Sequence, residues 1–269
     1  MVVAGLQLDL ELENAEEQGG EAEDEAVRAG LEVRGKLADA AVAASLASCV
    51  AETVMTGLLG GGHAVYHRAG DDPDSLRTLD FFCAVPGLGA PPRERELLRL
   101  EVPFGAELVH YAVGIASCAV PGVPAGLHAL WEEHGRLEWR LLVEPALRLA
   151  RAGVPMPPAH VSCLRMLERV MTMREGARIY APAGRLLEPW ELLQQPGLVA
   201  ALQLVAAEGA RGAYVGTLAE SLLELMAERG GLVTRRDLES YEVRKHDSER
   251  GAYRGVTLHT RAGAYTPLW

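Results

Sequence analysis

Two histidines four residues apart, His63 and His67, are the first pair in this sequence whose types and spacing could do chemistry. On a helix that spacing can hold a metal ion, and on a strand it still puts both rings on one face. No Glu or Cys nearby completes a ligand set, so surface or packed histidines are expected and no metal site. Gly60-Gly61-Gly62 stands just before them. The Lys and Ser/Thr of a phosphate loop are absent, which leaves a tight turn or a close backbone approach. Ser117 and Cys118 lie in Ile115-Ala116-Ser117-Cys118-Ala119-Val120-Pro121-Gly122, with no G-x-S-x-G elbow. A nucleophile there needs a positioned base and an oxyanion site, and only His110 or His128, brought near by folding, could be the base. Glu132, Glu133, Glu138 and Glu144 could be imagined as an acid/base pair, but helical spacing scatters them over exposed faces. Residue by residue, the sequence names no complete catalytic set and no cofactor site.

The elements that would position these residues are mostly helical. Ala38 to Val50 is a run of small residues that lets a neighbour approach closely, so it reads as a buried helix. His63–His67 and Arg77–Phe82, separated by Gly70-Asp71-Asp72-Pro73-Asp74, predict a hairpin. Gly87, Gly89, Pro91 and Pro92 then break regular structure. Further helices are predicted over 123–134, 137–152 with a break at Pro145, 158–173, 197–208 and 217–229. In the last, Leu218, Leu222, Leu225 and Met226 share one face and Gly230-Gly231 ends it. Thr234 and Asp237 have near capping-box spacing, and strands are predicted over 241–246 and 252–260.

Composition bounds the rest. With 269 residues, 49% of them apolar, the chain can bury a core and is not disordered as a whole. Aromatics are 5%, so Leu, Val and Ala must pack it, which suits close helices. Nine acids precede the first base, Arg28; subtracting their charge from the net −11 leaves −2 for the remainder. Residues 1–25 therefore read as an acidic, disordered segment ahead of a domain over 26–269. No basic stripe exists to meet phosphates, which argues against nucleic acid. Cys49, Cys83, Cys118 and Cys163 form no C-x-x-C pair and read as buried reduced thiols. No signal peptide and no membrane-length apolar run is seen, so a cytoplasmic setting is expected.

Several segments together resemble the γ-glutamyltransferase family. They are Asp39-Ala40-Ala41-Val42-Ala43-Ala44, Thr56 to Gly62, Leu79-Asp80-Phe81, and Ala119-Val120-Pro121-Gly122-Val123-Pro124-Ala125-Gly126-Leu127. The likeness continues through Gly135–Trp139, Ala150–Pro155, Gly230–Leu238, Tyr241 and Tyr253-Arg254-Gly255. The resemblance implies an α+β fold, the helix-rich part of an N-terminal-nucleophile hydrolase αββα sandwich that is incomplete without the small-subunit portion. It also implies a precursor cut into two subunits, and an N-terminal Thr of the small subunit that attacks a γ-glutamyl amide such as glutathione and passes the acyl group to water or an amine. The free α-amino group of that Thr serves as the base.

Three departures from the family pattern shape the expectation. The acidic segment stands where the family has its first strand. Phe82-Cys83 replaces an Arg-Glu pair whose Arg holds the substrate's α-carboxylate, so Phe82 marks the substrate position and a glutamyl donor is expected to bind poorly. Arg77, Arg93 or Arg95 could replace that Arg only if a loop carried one inward; otherwise Phe82 is a core side chain on a buried strand. After His259 the sequence leaves the family pattern, and neither Thr260 nor Thr266 is followed by anything like a small subunit. The reading is a truncated large subunit with no catalytic residue of its own, inactive alone, with a separately encoded small subunit as its possible partner. The rival reading is a non-enzymatic binding or assembly module that reuses the helical layer.

Overall fold

The computed structural model describes residue 25 and residues 27–30, 37–67, 71–72, 75–90, 97–104 and 107–261. The acidic segment over 1–24 and Arg93 and Arg95 lie outside the described residues.

Helix α1 (Leu37–Ala51) forms where the small-residue run predicts it, and ten of its residues are buried. Its Ala-rich surface lets α3 (Trp139–Ala152) and α2 (Val123–His134) pack closely on it, and α3 packs in turn on α7 (Pro196–Glu208). Leu46, Leu142, Val143, Leu202 and Val205 fill the space between these helices. A carboxylate is built into this apolar layer. Asp39 is fully buried and accepts the backbone amides of Arg136 (3.0 Å) and Leu137 (3.4 Å), which fixes the turn between α2 and α3. Trp139 donates its indole N–H to Val205 O at 2.8 Å, tying α3 to α7.

Pro145 does not break α3. The helix runs continuously through it, and the proline ring is buried. The lost internal hydrogen bond, about 3 kcal/mol in a helix interior, is offset by the apolar burial of Leu142, Val143, Ala146 and Leu147 around it. The long helix expected over 158–173 is instead α4 (Pro158–Met166) and α5 (Glu168–Met171), separated at Leu167 with φ −100. Then come α6 (Gly176–Tyr180), the short helix α8 (Gly212–Val215) and α9 (Thr217–Arg229), which Gly230 closes in the left-handed conformation. Thr234 and Asp237 form a complete capping box on α10 (Arg235–Glu239).

The expected hairpin is present as β1 (Gly62–His67) and β2 (Leu76–Phe81), antiparallel, with Gly62 opposite Phe81. A third strand, β7 (Arg244–Asp247), joins the other edge of β2, so the sheet order is β1-β2-β7. Helix α2 lies against β1 and β2. A second hairpin, β3 (Leu98–Phe104) with β4 (Glu107–Val113), was not anticipated. Two-residue strands β5 (Val154–Pro155) and β6 (Leu192–Leu193) pair beside the core. The single strand expected over 252–260 is two: β8 (Glu249–Tyr253) and β9 (Val256–Thr260). Arg254 (φ 48) and Gly255 (φ 82) turn the chain between them.

The fold is thus α+β, with helices carrying the core and strands carrying little of it. Nearly every residue of β7, β8 and β9 is exposed. Leu108, Val109, Tyr253, Val256 and Leu258 present apolar surface on the outer hairpins.

Candidate functional site

The glycine run and the Val-Pro-Gly segment meet where β2 ends. Gly60 O accepts the amides of Gly122 (2.8 Å) and Val123 (3.0 Å) at the start of α2. A Cβ on Gly122 would lie 1.8 Å from Phe81 O, and one on Gly61 would lie 2.4 Å from Cys83 N. These glycines permit backbone contact, the use expected of the run that includes Gly61. Ala84 and Val120 then pair as an isolated antiparallel bridge. Two tyrosines brace the junction. Tyr241 donates to Phe82 O at 2.9 Å and stacks on Tyr214, which donates to Pro121 O at 2.9 Å. Burial pushes both phenols well above their ordinary range.

The junction opens into a groove of about 430 Å³ between residues 82–86 and 116–119, with Leu232 as the far wall. Its rim is held from α10. The buried carboxylate of Asp237 accepts Gly87 N and Leu88 N, both at 2.9 Å, and Thr234 N at 2.7 Å. Burial pushes the Asp237 carboxyl up, but these bonds and the Thr234 hydroxyl outweigh it and hold the group below the usual carboxylate range.

Phe82 sits at the groove's end and is 43% exposed, just past the last residue of β2. It is not the core side chain that a buried strand would have made of it. Its amide donates to Asp80 Oδ1 at 3.0 Å. The Arg261 guanidinium lies 5.3 Å from the Phe82 ring centroid, with Nε 3.6 Å from Asp80 Oδ2. Arg77, by contrast, points toward Asp247 at 3.9 Å on exposed surface. Arg261 escaped the sequence reading because no local pattern marks it. It reaches Phe82 only because the β8–β9 hairpin folds the chain back to β2.

Ser117 and Cys118 do line the groove, but no base serves them. Ser117 Oγ donates to Gly114 O at 2.8 Å and accepts Gly114 N, closing a tight turn. Burial pushes the Cys83 and Cys118 thiols up. His110 pairs with Glu101 at 3.4 Å, and His128 pairs with Glu132 at 3.6 Å beside Trp131 and Trp139. Neither is bonded to Ser117 or Cys118. The remaining carboxylates are also paired outward. Glu133 meets Lys245 and Tyr66, Glu138 meets Arg140, and Glu144 meets Arg151. His63 and His67 share a face of β1 without converging on a third ligand. Among the described residues, no three His, Cys, Asp or Glu side chains group to hold a metal. Of the four cysteines, all free, only Cys49 is fully buried. Cys118 is exposed, which corrects the expectation of buried thiols.

This α+β fold is that of the γ-glutamyltranspeptidase class of N-terminal-nucleophile hydrolases. The crystal structure of Helicobacter pylori gamma-Glutamyltranspeptidase superposes with a TM-score of 0.73 at 26% identity, covering 88% of this chain and 67% of that one. A model of the Gamma-glutamyltranspeptidase family matches residues 25–264, and the chain belongs to that family. Similar relatives are Glutathione hydrolase proenzyme 2 of Schizosaccharomyces pombe and Acylase ACY 1 proenzyme of Pseudomonas sp. (strain V22). The first is 28% identical over 228 residues, covering 84% of this chain and 35% of the relative. The second is 31% identical over 235 residues, covering 83% and 40%. The chain therefore spans little more than a third of the length of these curated relatives. No helix among the described residues is long and apolar enough to cross a membrane.

Proposed function

We propose that this chain supplies the large-subunit portion of an amide-cleaving acyltransferase, and that the nucleophile comes from a separate small subunit. Residues 26–269 act as that portion, behind an acidic arm over 1–25. The observation that carries this reading is the groove itself. Its one hydroxyl, Ser117, is spent on its own turn, and its thiols are held protonated with no histidine bonded to them. Nucleophilic attack on an amide needs a base in reach, and among the described residues the groove has none. The exposed apolar residues of the outer hairpins are surface that a second subunit would cover. A reducing, cytoplasmic setting belongs to the same reading, supported by four free cysteines.

The acyl group on this reading is less polar than glutamyl, because Phe82 offers no donor for an α-carboxylate where the family resemblance implies an Arg. The experiment is an assay of the purified chain and of its complex with a family small subunit, using γ-glutamyl p-nitroanilide and fatty-acyl p-nitroanilides. The chain alone should give no turnover above buffer, and the complex should prefer the fatty-acyl donors. Turnover by the chain alone, or a complex that favours the glutamyl donor, contradicts the proposal.

A further inference from the structure

Among the described residues, the walls of the groove carry no charged side chain, and Phe82, Ala84, Val85, Pro86 and Leu232 make them largely apolar. Much of this apolar surface faces water. Val85 is 88% exposed, and Phe82 and Leu88 on the rim are nearly half exposed. Exposed apolar groups gathered in one place mark a surface that something covers. The chain itself returns to the Phe82 end of this surface. Strand β9 stops at Thr260, and the next residue, Arg261, sets its guanidinium over the Phe82 ring. Its largely buried ion pair with Asp80 holds residue 261 there, within one side chain's length of the groove. The sequence then runs Ala262-Gly263-Ala264-Tyr265-Thr266-Pro267-Leu268-Trp269. None of these eight residues is charged, and Tyr265, Pro267, Leu268 and Trp269 carry large apolar or aromatic groups.

We infer that the groove is a docking site for residues 262–269 of its own chain, whose apolar side chains cover Phe82, Val85 and Leu232. Eight extended residues span up to about 26–29 Å, so reach does not limit them. Tethering beside the Phe82 end gives the segment an effective concentration in the millimolar range. Contacts too weak to hold a free peptide therefore suffice to close the groove. The match is also one of charge, since a charged occupant would set its charge against apolar walls with no partner. On the functional reading above, the segment stands where an acyl donor would lie and must leave before one enters. That autoinhibitory consequence rests on the functional reading; the docking itself does not.

The experiment follows Cys118, on the groove wall, by native iodoacetamide labelling of the full chain, with Cys163 on α4, outside the groove lining, as the reference. The paired change Leu268→Asp with Trp269→Asp should label Cys118 about tenfold faster than the parent, the protection that a millimolar effective concentration gives a contact with a dissociation constant of about 0.1 mM. Cys163 should label at an unchanged rate. Val85→Asp, at a side chain already facing water, should give the same acceleration in the parent and none in the paired variant. A peptide of residues 262–269 added at millimolar concentration should restore protection to the paired variant. Equal Cys118 rates in parent and paired variant overturn the inference. So does an equal acceleration at Cys163, which reports general loosening. Protection that fades when the parent is diluted overturns it in favour of a second copy of the chain. Turnover of acyl p-nitroanilides by the complex with a family small subunit is read separately. Its absence removes the functional proposal and leaves the docking, whereas equal labelling removes the docking alone.

Discussion

Asp237 shows how much of the groove rests on single side chains. One buried carboxylate holds backbone amides from two segments, Leu88 and Thr234 lying 146 residues apart in sequence. Asp237→Ala strands those amides, and urea unfolding should show a loss of about 1.5–3 kcal/mol. The pH dependence follows from the depressed carboxyl. A group whose folded pKa lies below its unfolded value of about 3.9 contributes stability that is complete above the unfolded value. That stability is lost as pH falls through the folded pKa. The difference between parent and Asp237→Ala should therefore shrink in acid below about pH 4 and stay constant above about pH 5. The thiols give a second check at this scale. Burial pushes Cys49 up to about 12, with Glu52 adding to the shift, so at pH 8 roughly one molecule in ten thousand carries its thiolate. Native iodoacetamide labelling followed by mass spectrometry should modify exposed Cys118 first and leave Cys49 untouched until the chain unfolds. Early labelling of Cys49 would show that α1 opens locally.

The elements differ in how plainly the sequence announces them. Helix α1 was legible from its run of small residues, and α2, α7 and α9 because glycine or proline punctuates their ends and apolar residues recur along them. The β3–β4 hairpin was missed although Leu98, Leu100 and Val102 alternate with Arg99 and Glu101, a period-2 signal. Pro103, inside β3, interrupts that signal where its partner strand begins to turn. Pro145 misled in the other direction, since only tertiary burial keeps α3 whole. Of the site, the close backbone approach at the glycine run was legible; Arg261 and the Asp237 clasp depend on long-range register that no window of sequence contains. The α2–β2 crossing yields a direct test. Gly122→Ala places a Cβ 1.8 Å from Phe81 O, so the helix must shift away from the strand. Thermal unfolding should report a loss of about 1–3 kcal/mol or more. Gly197→Ala, with nothing within 4 Å at the start of α7, should leave stability unchanged or raise it by up to about 1 kcal/mol.

Across the whole molecule, buried apolar surface is concentrated in the helical layer and the strands border it. Amide hydrogen exchange should rank accordingly, slowest in α1 and α3 and fastest in β8 and β9. Adding a family small subunit should slow exchange in the outer hairpins while leaving α1 unchanged. Uniform protection before any subunit is added would contradict the idea that these strands await a partner. The clasp at Asp237 also has a temporal meaning. The ribosome delivers residues 82–86 and 116–119, which line two sides of the groove, long before it delivers residue 237. Domains fold as their sequence emerges, yet the rim at Gly87 and Leu88 lacks its anchor, and β2 lacks its third strand, until Asp237 and then β7 have been made. Nascent chains stalled earlier carry an open sheet edge, the kind of surface that chaperones cover and that stray strands join. The groove is thus completed only well after the strand that forms its floor has left the ribosome.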